Sequence, residues 1–157
     1  MKHIILLITF IVTALTSQAQ WVTKVVNNGI DEPYRIAYCS NTAKTAVLKL
    51  EKTDSMEVAF YLTGGYHCDE STTADLGLTI GQTIKRYTFS VYTSEDKRTV
   101  FILDNIYYED ETIGDEFFKD FKKCSKLSIR INESHCTDDY YQFNMTGSVN
   151  ALQFISK

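Results

Sequence analysis

The sequence predicts a mainly β protein, an antiparallel β-sandwich or distorted barrel with two short helices. Roughly eight or nine segments read as strands, most of them alternating apolar and polar residues. Tyrosine (10) and phenylalanine (9) are abundant against a single proline, Pro33, and aromatic residues fit a pleated, half-buried surface. Helical spacing is confined to two short stretches, so no βαβ rhythm and no parallel sheet is expected.

The elements follow in order. Trp21 to Val26 alternates and reads as a strand, and Asn27-Asn28-Gly29 is a tight-turn signal. Tyr34 to Cys39 is a second strand after Asp31-Glu32-Pro33. Thr45 to Glu51 and Glu57 to Thr63 form a hairpin turning at Thr53-Asp54-Ser55, with Val58, Phe60 and Leu62 on one face. Gly64 to Asp75 lacks periodicity and reads as a polar loop, long enough to suggest function. Leu76 to Ile80 is a short strand before Gly81-Gln82. Thr83 to Tyr92 sets Tyr87, Phe89 and Val91 on one side. Thr99 to Tyr107 is apolar enough for a central strand, closed by the acidic run Glu109-Asp110-Glu111.

Asp115 to Lys123 is the best helix. Phe117, Phe118, Phe121 and Cys124 recur at helical spacing, with acids at the start and Lys122-Lys123 at the end, which complements the helix dipole. Leu127 to Ile131 and Tyr141 to Met145 are strands flanking a loop from Glu133 to Asp139. Ser148 is placed to cap a closing helix that carries Ala151, Leu152 and Ile155.

Residues 1–19 read as a secretory signal peptide. Lys2 and His3 precede an apolar run from Ile4 to Leu15, and Thr16-Ser17-Gln18-Ala19 ends on a small-residue cleavage pattern. The run is shorter than the ~20 residues a membrane-spanning helix needs. Residues 20–157 are then one β-rich domain, not membrane-spanning, with a periplasmic or secreted address. The formal charge of the whole chain is −4, and losing Lys2 makes the remainder more acidic. Nucleic acid is therefore excluded as a partner on electrostatic grounds.

Export makes the four cysteines disulfide candidates. Cys39 ends a strand, and Cys68 lies just past the hairpin that returns beside it, so both are expected at one end of the sheet. Cys39–Cys68 is the expected bond, with Cys124–Cys136 left by elimination.

No nucleophile elbow or Cys/His/Asn signature is present, so no catalytic residue and no cofactor is assigned. His67-Cys68-Asp69 and His135-Cys136 with Asp138-Asp139 contain zinc or copper ligand types, but oxidised cysteines do not ligate zinc, and no metal is assigned. The acidic residues Asp69, Glu70, Asp110, Glu111, Asp138 and Asp139 lack EF-hand spacing. The tyrosines are the better lead. Alternation forces one member of Tyr107-Tyr108 and of Tyr140-Tyr141 outward, and exposed tyrosine offers rigid amphipathic contact area. Tyr66, His67, Asp69, His135 and Tyr140 are the expected binding residues, on the loops 64–70 and 133–141.

The closing run Phe143-Asn144-Met145-Thr146-Gly147-Ser148, followed by Ala151-Leu152, resembles the ending of invasion-associated locus B-type periplasmic proteins. Those also begin near a tryptophan and carry paired cysteines in a β-sandwich. The resemblance covers the order of elements. It implies an envelope or host-interaction role without catalysis, and carries over no functional residue. The expected function is a non-catalytic binding protein of the bacterial envelope with a protein or glycan partner, as an envelope factor or inhibitor. A small envelope hydrolase and a structural subunit of a surface or virion assembly are the alternatives.

Overall fold

The computed structural model describes residues 21–27, 29, 32–52, 58–103 and 111–157. The expected signal peptide, the turn at Thr53-Asp54-Ser55 and the pair Tyr107-Tyr108 lie outside these residues. The chain runs through β1 (Val22–Val26), β2 (Tyr34–Ser40), β3 (Val47–Lys52), β4 (Val58–Thr63), β5 (Ser71–Ile80), β6 (Thr83–Thr93) and β7 (Thr99–Leu103). Helix α1 (Glu111–Phe121) follows, then β8 (Lys126–Asn132), β9 (Asp139–Asn144) and helix α2 (Ser148–Ile155). The fold class matches the expectation: mainly β, antiparallel, with two short helices. The nine strands form one continuous sheet in the order β1-β2-β3-β4-β7-β6-β5-β8-β9, not closed by strand pairing.

Period-two alternation builds the core. Ala37 and Cys39 on β2, Leu48 and Leu50 on β3, Ala74, Leu76 and Leu78 on β5, and Leu127, Ile129 and Ile131 on β8 all point inward and are buried. Register brings these faces into contact across strands, as in Leu76 opposite Ile129 and Leu127 opposite Phe143. Such cross-strand pairs are the unit of sheet stabilisation.

β6 pairs with β5 from end to end, and among the described residues it pairs with β7 only at Tyr92–Phe101 and Thr93–Val100. Helix α1 packs across β4 and β6. Phe117 packs edge-on against Phe60 of β4 at 5.5 Å, and against Tyr87 and Phe89 of β6 at 5.4 and 5.5 Å. A single aromatic side chain thus joins the two halves. Asp120, buried on the same helix, accepts from Tyr87 Oη at 2.6 Å and pairs with Lys85 Nζ at 2.5 Å. Those two donors, Lys85 first, hold its carboxyl below the usual range. On the far side the sheet curls back on itself: Thr42 N, just after β2, donates to Gln142 O of β9 at 3.1 Å.

Several expectations are corrected. The polar loop is only 64–70, because Ser71-Thr72-Thr73 already belong to β5 and pair with β6 and β8. A polar, threonine-rich strand end shows no hydrophobic alternation, so it reads as loop. Helix α1 stops at Phe121, leaving Lys122 and Lys123 in the turn beyond. Ser148 does not cap α2: the N-cap is Gly147 in the left-handed region, and Ser148 is a buried first-turn residue.

The disulfide is Cys68–Cys136, closing 68 residues of chain. The expected pairs Cys39–Cys68 and Cys124–Cys136 do not form. Cys39 shares the inward face of β2 with Ala37, so its sulfur lies in the core instead of at the sheet's end. Cys124 follows α1, and its thiol donates to Phe121 O at 3.2 Å. Burial pushes both thiols up to about 12, so neither is a reactive thiolate near neutral pH.

Candidate functional site

Loops 64–70 and 133–138 meet because of strand order. β5 lies beside β8, antiparallel, with Thr73 opposite Asn132. The segment entering β5 and the segment leaving β8 are therefore neighbours, and Cys68 reaches Cys136 with a Cα–Cα distance of 6.1 Å.

Glu133 is the hub. Its side chain is only 1% exposed. Oε2 accepts from Cys68 N at 3.1 Å and Asp69 N at 3.0 Å, and Oε1 lies 3.1 Å from His67 Nδ1. A second carboxylate, Asp139 Oδ2, stands 3.4 Å from the same nitrogen. Tyr141 Oη lies 3.1 Å from both Gly64 O and Asp139 Oδ2 and shares its one proton between them. Burial, then the Asp139 charge, raises the Tyr141 phenol above its ordinary value. Gly65 makes this approach possible: φ is +77°, and a Cβ there would stand 2.5 Å from Tyr141 Oη.

The second strut runs the other way. Asp69, buried, accepts from Ser134 N, and its other oxygen meets His135 Nδ1. The His135 contact is the main reason its carboxyl titrates below the usual range, with the Ser134 amide second. Asp138 Oδ1 accepts from Glu133 N at 3.0 Å, which closes the 133–138 turn on itself. Lys97 adds a third anchor from the β6–β7 turn, with Nζ donating to Cys68 O at 2.8 Å.

Five residues were expected to bind a partner, and the structure divides them. His67 and Asp69 are interior struts, not surface groups. Tyr66 is 65% exposed, Tyr140 is 59% exposed, and the His135 side chain is 81% exposed. Tyr140 points out and Tyr141 in, as alternation requires. Trp21 and Tyr61 are half-buried, the first against Phe121 and the second against Phe101. Glu133, Gly65 and Lys97 were not singled out by the sequence reading, and Asp139 and Tyr141, named there as a possible metal ligand and as one of a tyrosine pair, were not assigned to the site. Only the β5–β8 register, which joins strands far apart in the chain, could have exposed their roles.

The chemistry open to the cluster is narrow. His67 Nδ1, Glu133 Oε1 and Asp139 Oδ2 all lie within 4.8 Å of one another, spacing that a metal ion could use. A metal on Nδ1 would put the proton on Nε2, which has no hydrogen-bond partner among the described residues. Ligating imidazoles normally donate that second N–H to an acceptor. The donor set fits better as a hydrogen-bonded clamp with the proton on Nδ1. Sealed in this way, Nε2 has no access to a substrate.

Comparison of the chain with protein-family models, with curated proteins and with solved structures finds no match.

Proposed function

We propose that this chain is an exported, non-catalytic binding protein of the periplasm or extracellular space, and that its contact surface is the locked pair of loops 64–70 and 133–141. One observation carries the reading. The two loops are fastened by a disulfide and by carboxylates turned inward, while Tyr66 and His135 stay outside. Stiff loops lose little conformational freedom on binding, which favours affinity. The disulfide suits an oxidising compartment, and no helix among the described residues is long and apolar enough to cross a membrane. The likeness to invasion-associated locus B-type proteins implies the same kind of role.

The test is capture from envelope extract and from a glycan array in parallel. Tyr66→Ala and Tyr140→Ala are expected to weaken the captured partner without moving the melting temperature. Unchanged capture by both variants overturns the surface.

One observation favours a second reading, a small hydrolase. Asp69 is buried and fixes an accessible His135 through Nδ1, the arrangement by which a carboxylate orients a general base. Among the described residues no hydroxyl or thiol is hydrogen-bonded to His135, so water would have to be the nucleophile. Ester or amide hydrolysis that vanishes in His135→Ala, with binding retained, would move the assignment to this reading.

A further inference from the structure

We propose a second site, which shares only Tyr140 with the loop surface: a groove on the outer face of β5, β6, β8 and β9 that binds an acidic saccharide, a sugar chain bearing carboxylates. The groove holds about 450 Å³. Its floor is Gly77, which faces outward because Leu76 and Leu78 on either side point into the core. Arg86 of β6 and Ser128 of β8 stand directly opposite Gly77 on the neighbouring strands. Ile84 and Tyr140, two of the exposed large hydrophobic side chains, form the walls.

The fold does not explain Gly77. Its φ is not in the left-handed region, and a Cβ would stand 3.5 Å from Ile84 Cγ2 and 3.9 Å from Ser128 Cβ, ordinary contact distances. Glycine inside a strand weakens it, and commonly marks close approach by a ligand or another backbone. What the missing side chain supplies here is depth.

The charges name the ligand. The chain as a whole is acidic, yet two arginines line this groove against one acid, Asp75. Asp75 is already engaged: Thr88 Oγ1 donates to it at 2.7 Å and Asn132 Nδ2 at 3.2 Å. Arg130 is held at Nε by Asn132 at 2.7 Å and Asp138 at 3.3 Å. Among the described residues the Arg86 guanidinium makes no hydrogen bond or close ion pair; it feels the Asp75 charge without touching that carboxylate, which is saturated by Thr88 and Asn132. A free guanidinium is suited to bidentate recognition of a carboxylate. Beside it, Tyr140 offers a flat ring whose hydroxyl is fixed by Gln142 Nε2 at 2.7 Å. Ring face, hydroxyl-bearing walls and one unpaired guanidinium together fit a sugar with an acid group.

The full-length chain, expressed for export and purified with Cys68–Cys136 oxidised, is titrated calorimetrically with tetramers of galacturonate, mannuronate and hyaluronan and with their neutral methyl esters. At least one acidic tetramer is expected to bind, and its ester to bind roughly tenfold to a hundredfold more weakly, the loss of one charge-assisted contact. Gly77→Val fills the groove floor and Arg86→Ala removes the guanidinium, so each weakens binding by a similar factor. The melting temperature of Gly77→Val stays at or above that of the parent, which separates a filled groove from a damaged fold. Tyr66→Ala leaves this binding unchanged, so failure here and failure of the loop surface are told apart. No binding by any acidic tetramer, equal affinity for the esters, or full binding by Gly77→Val overturns the site.

Discussion

At the loop pair, His67, Glu133, Asp69 and Asp139 are turned on one another or on backbone amides. On the outer face of β5 and β6, Arg86 makes no hydrogen bond or close ion pair among the described residues and Gly77 has no side chain at all. Both regions are polar and both sit at the edge of one hydrophobic core. In the first, polar groups satisfy each other and fix a shape. In the second, one polar group is left over, and a leftover group is what a ligand can use. Chemistry-bearing residue types alone do not separate these cases, because histidine, acid and cysteine crowd the region that is mostly structural.

Breaking the lock should give the largest effect. Cys68→Ala with Cys136→Ala opens a covalent loop of 68 residues, which in the chain-entropy account lowers stability by roughly 4 kcal/mol. Urea unfolding of oxidised parent and double variant measures it directly. A shift near zero would mean that the carboxylate struts alone hold the loops. The same double change is expected to leave the acidic-sugar groove intact, since Tyr140 is the one lining residue within the two locked loops and its pairing with Arg130 on β8 holds it in place.

Glu133→Ala comes next. It strips the acceptor from two backbone amides and a buried imidazole at once. Leaving buried donors unpaired in this way costs about 3 kcal/mol. Glu133→Gln keeps the shape and one carbonyl oxygen, so its loss should be clearly smaller. Equal losses in the two variants would show that packing, not hydrogen bonding, is what Glu133 contributes.

How much of this was legible beforehand follows from which interactions are local. Alternation at Leu127-Ile129-Ile131 and Tyr141-Phe143, and helical spacing at Phe117-Phe121, are written within a few residues and were read correctly. Loops 64–70 and 133–141 were both expected to carry the contact surface, but neither expected bond joined them, because Cys68 was assigned to Cys39 and Cys136 to Cys124. Placing Cys39 by its strand end ignored its parity with Ala37, which sends the sulfur inward. The β5–β8 pairing that brings Cys68 to Cys136 joins strands separated by β6, β7 and α1, and no local pattern encodes it. His67 looked like a surface neighbour of a cystine for the same reason: its partners, Glu133 and Asp139, lie more than sixty residues away.

Acid sharpens the comparison between Asp69 in the lock and Asp75 in the groove. Both carboxyls titrate below their ordinary value of 3.8, Asp69 chiefly through His135 and Asp75 chiefly through Thr88. A carboxyl lowered in the folded state adds stability that is fully present above that ordinary value and is lost as pH falls through the folded one. The unfolding midpoint should therefore be level from neutrality down to about pH 5 and drop below about pH 4. Asp69→Asn is expected to flatten the acid limb and also loosen the loops, read as faster amide exchange at Ser134. Asp75→Asn should flatten the limb without that loosening. Identical exchange in the two variants would erase the distinction drawn between the regions.

The smallest effects come from two glycines, and their signs should be opposite. Gly65 sits at φ +77° with no room for a Cβ beneath Tyr141 Oη, so Gly65→Ala must displace that hydroxyl from Gly64 O and from Asp139. Strain at such a position costs about 1–3 kcal/mol. Gly77 has an ordinary strand backbone, and a Cβ there would meet Ile84 and Ser128 only at ordinary contact distances, so Gly77→Ala removes unfolded-chain entropy without a clash and should stabilise by about 0.5–1 kcal/mol. If Gly77→Ala instead destabilises, glycine is there for the fold and the groove loses its main argument. If it stabilises while acidic-sugar binding falls, a residue that weakens the strand has been kept at the one place where it opens room beside an unpaired guanidinium.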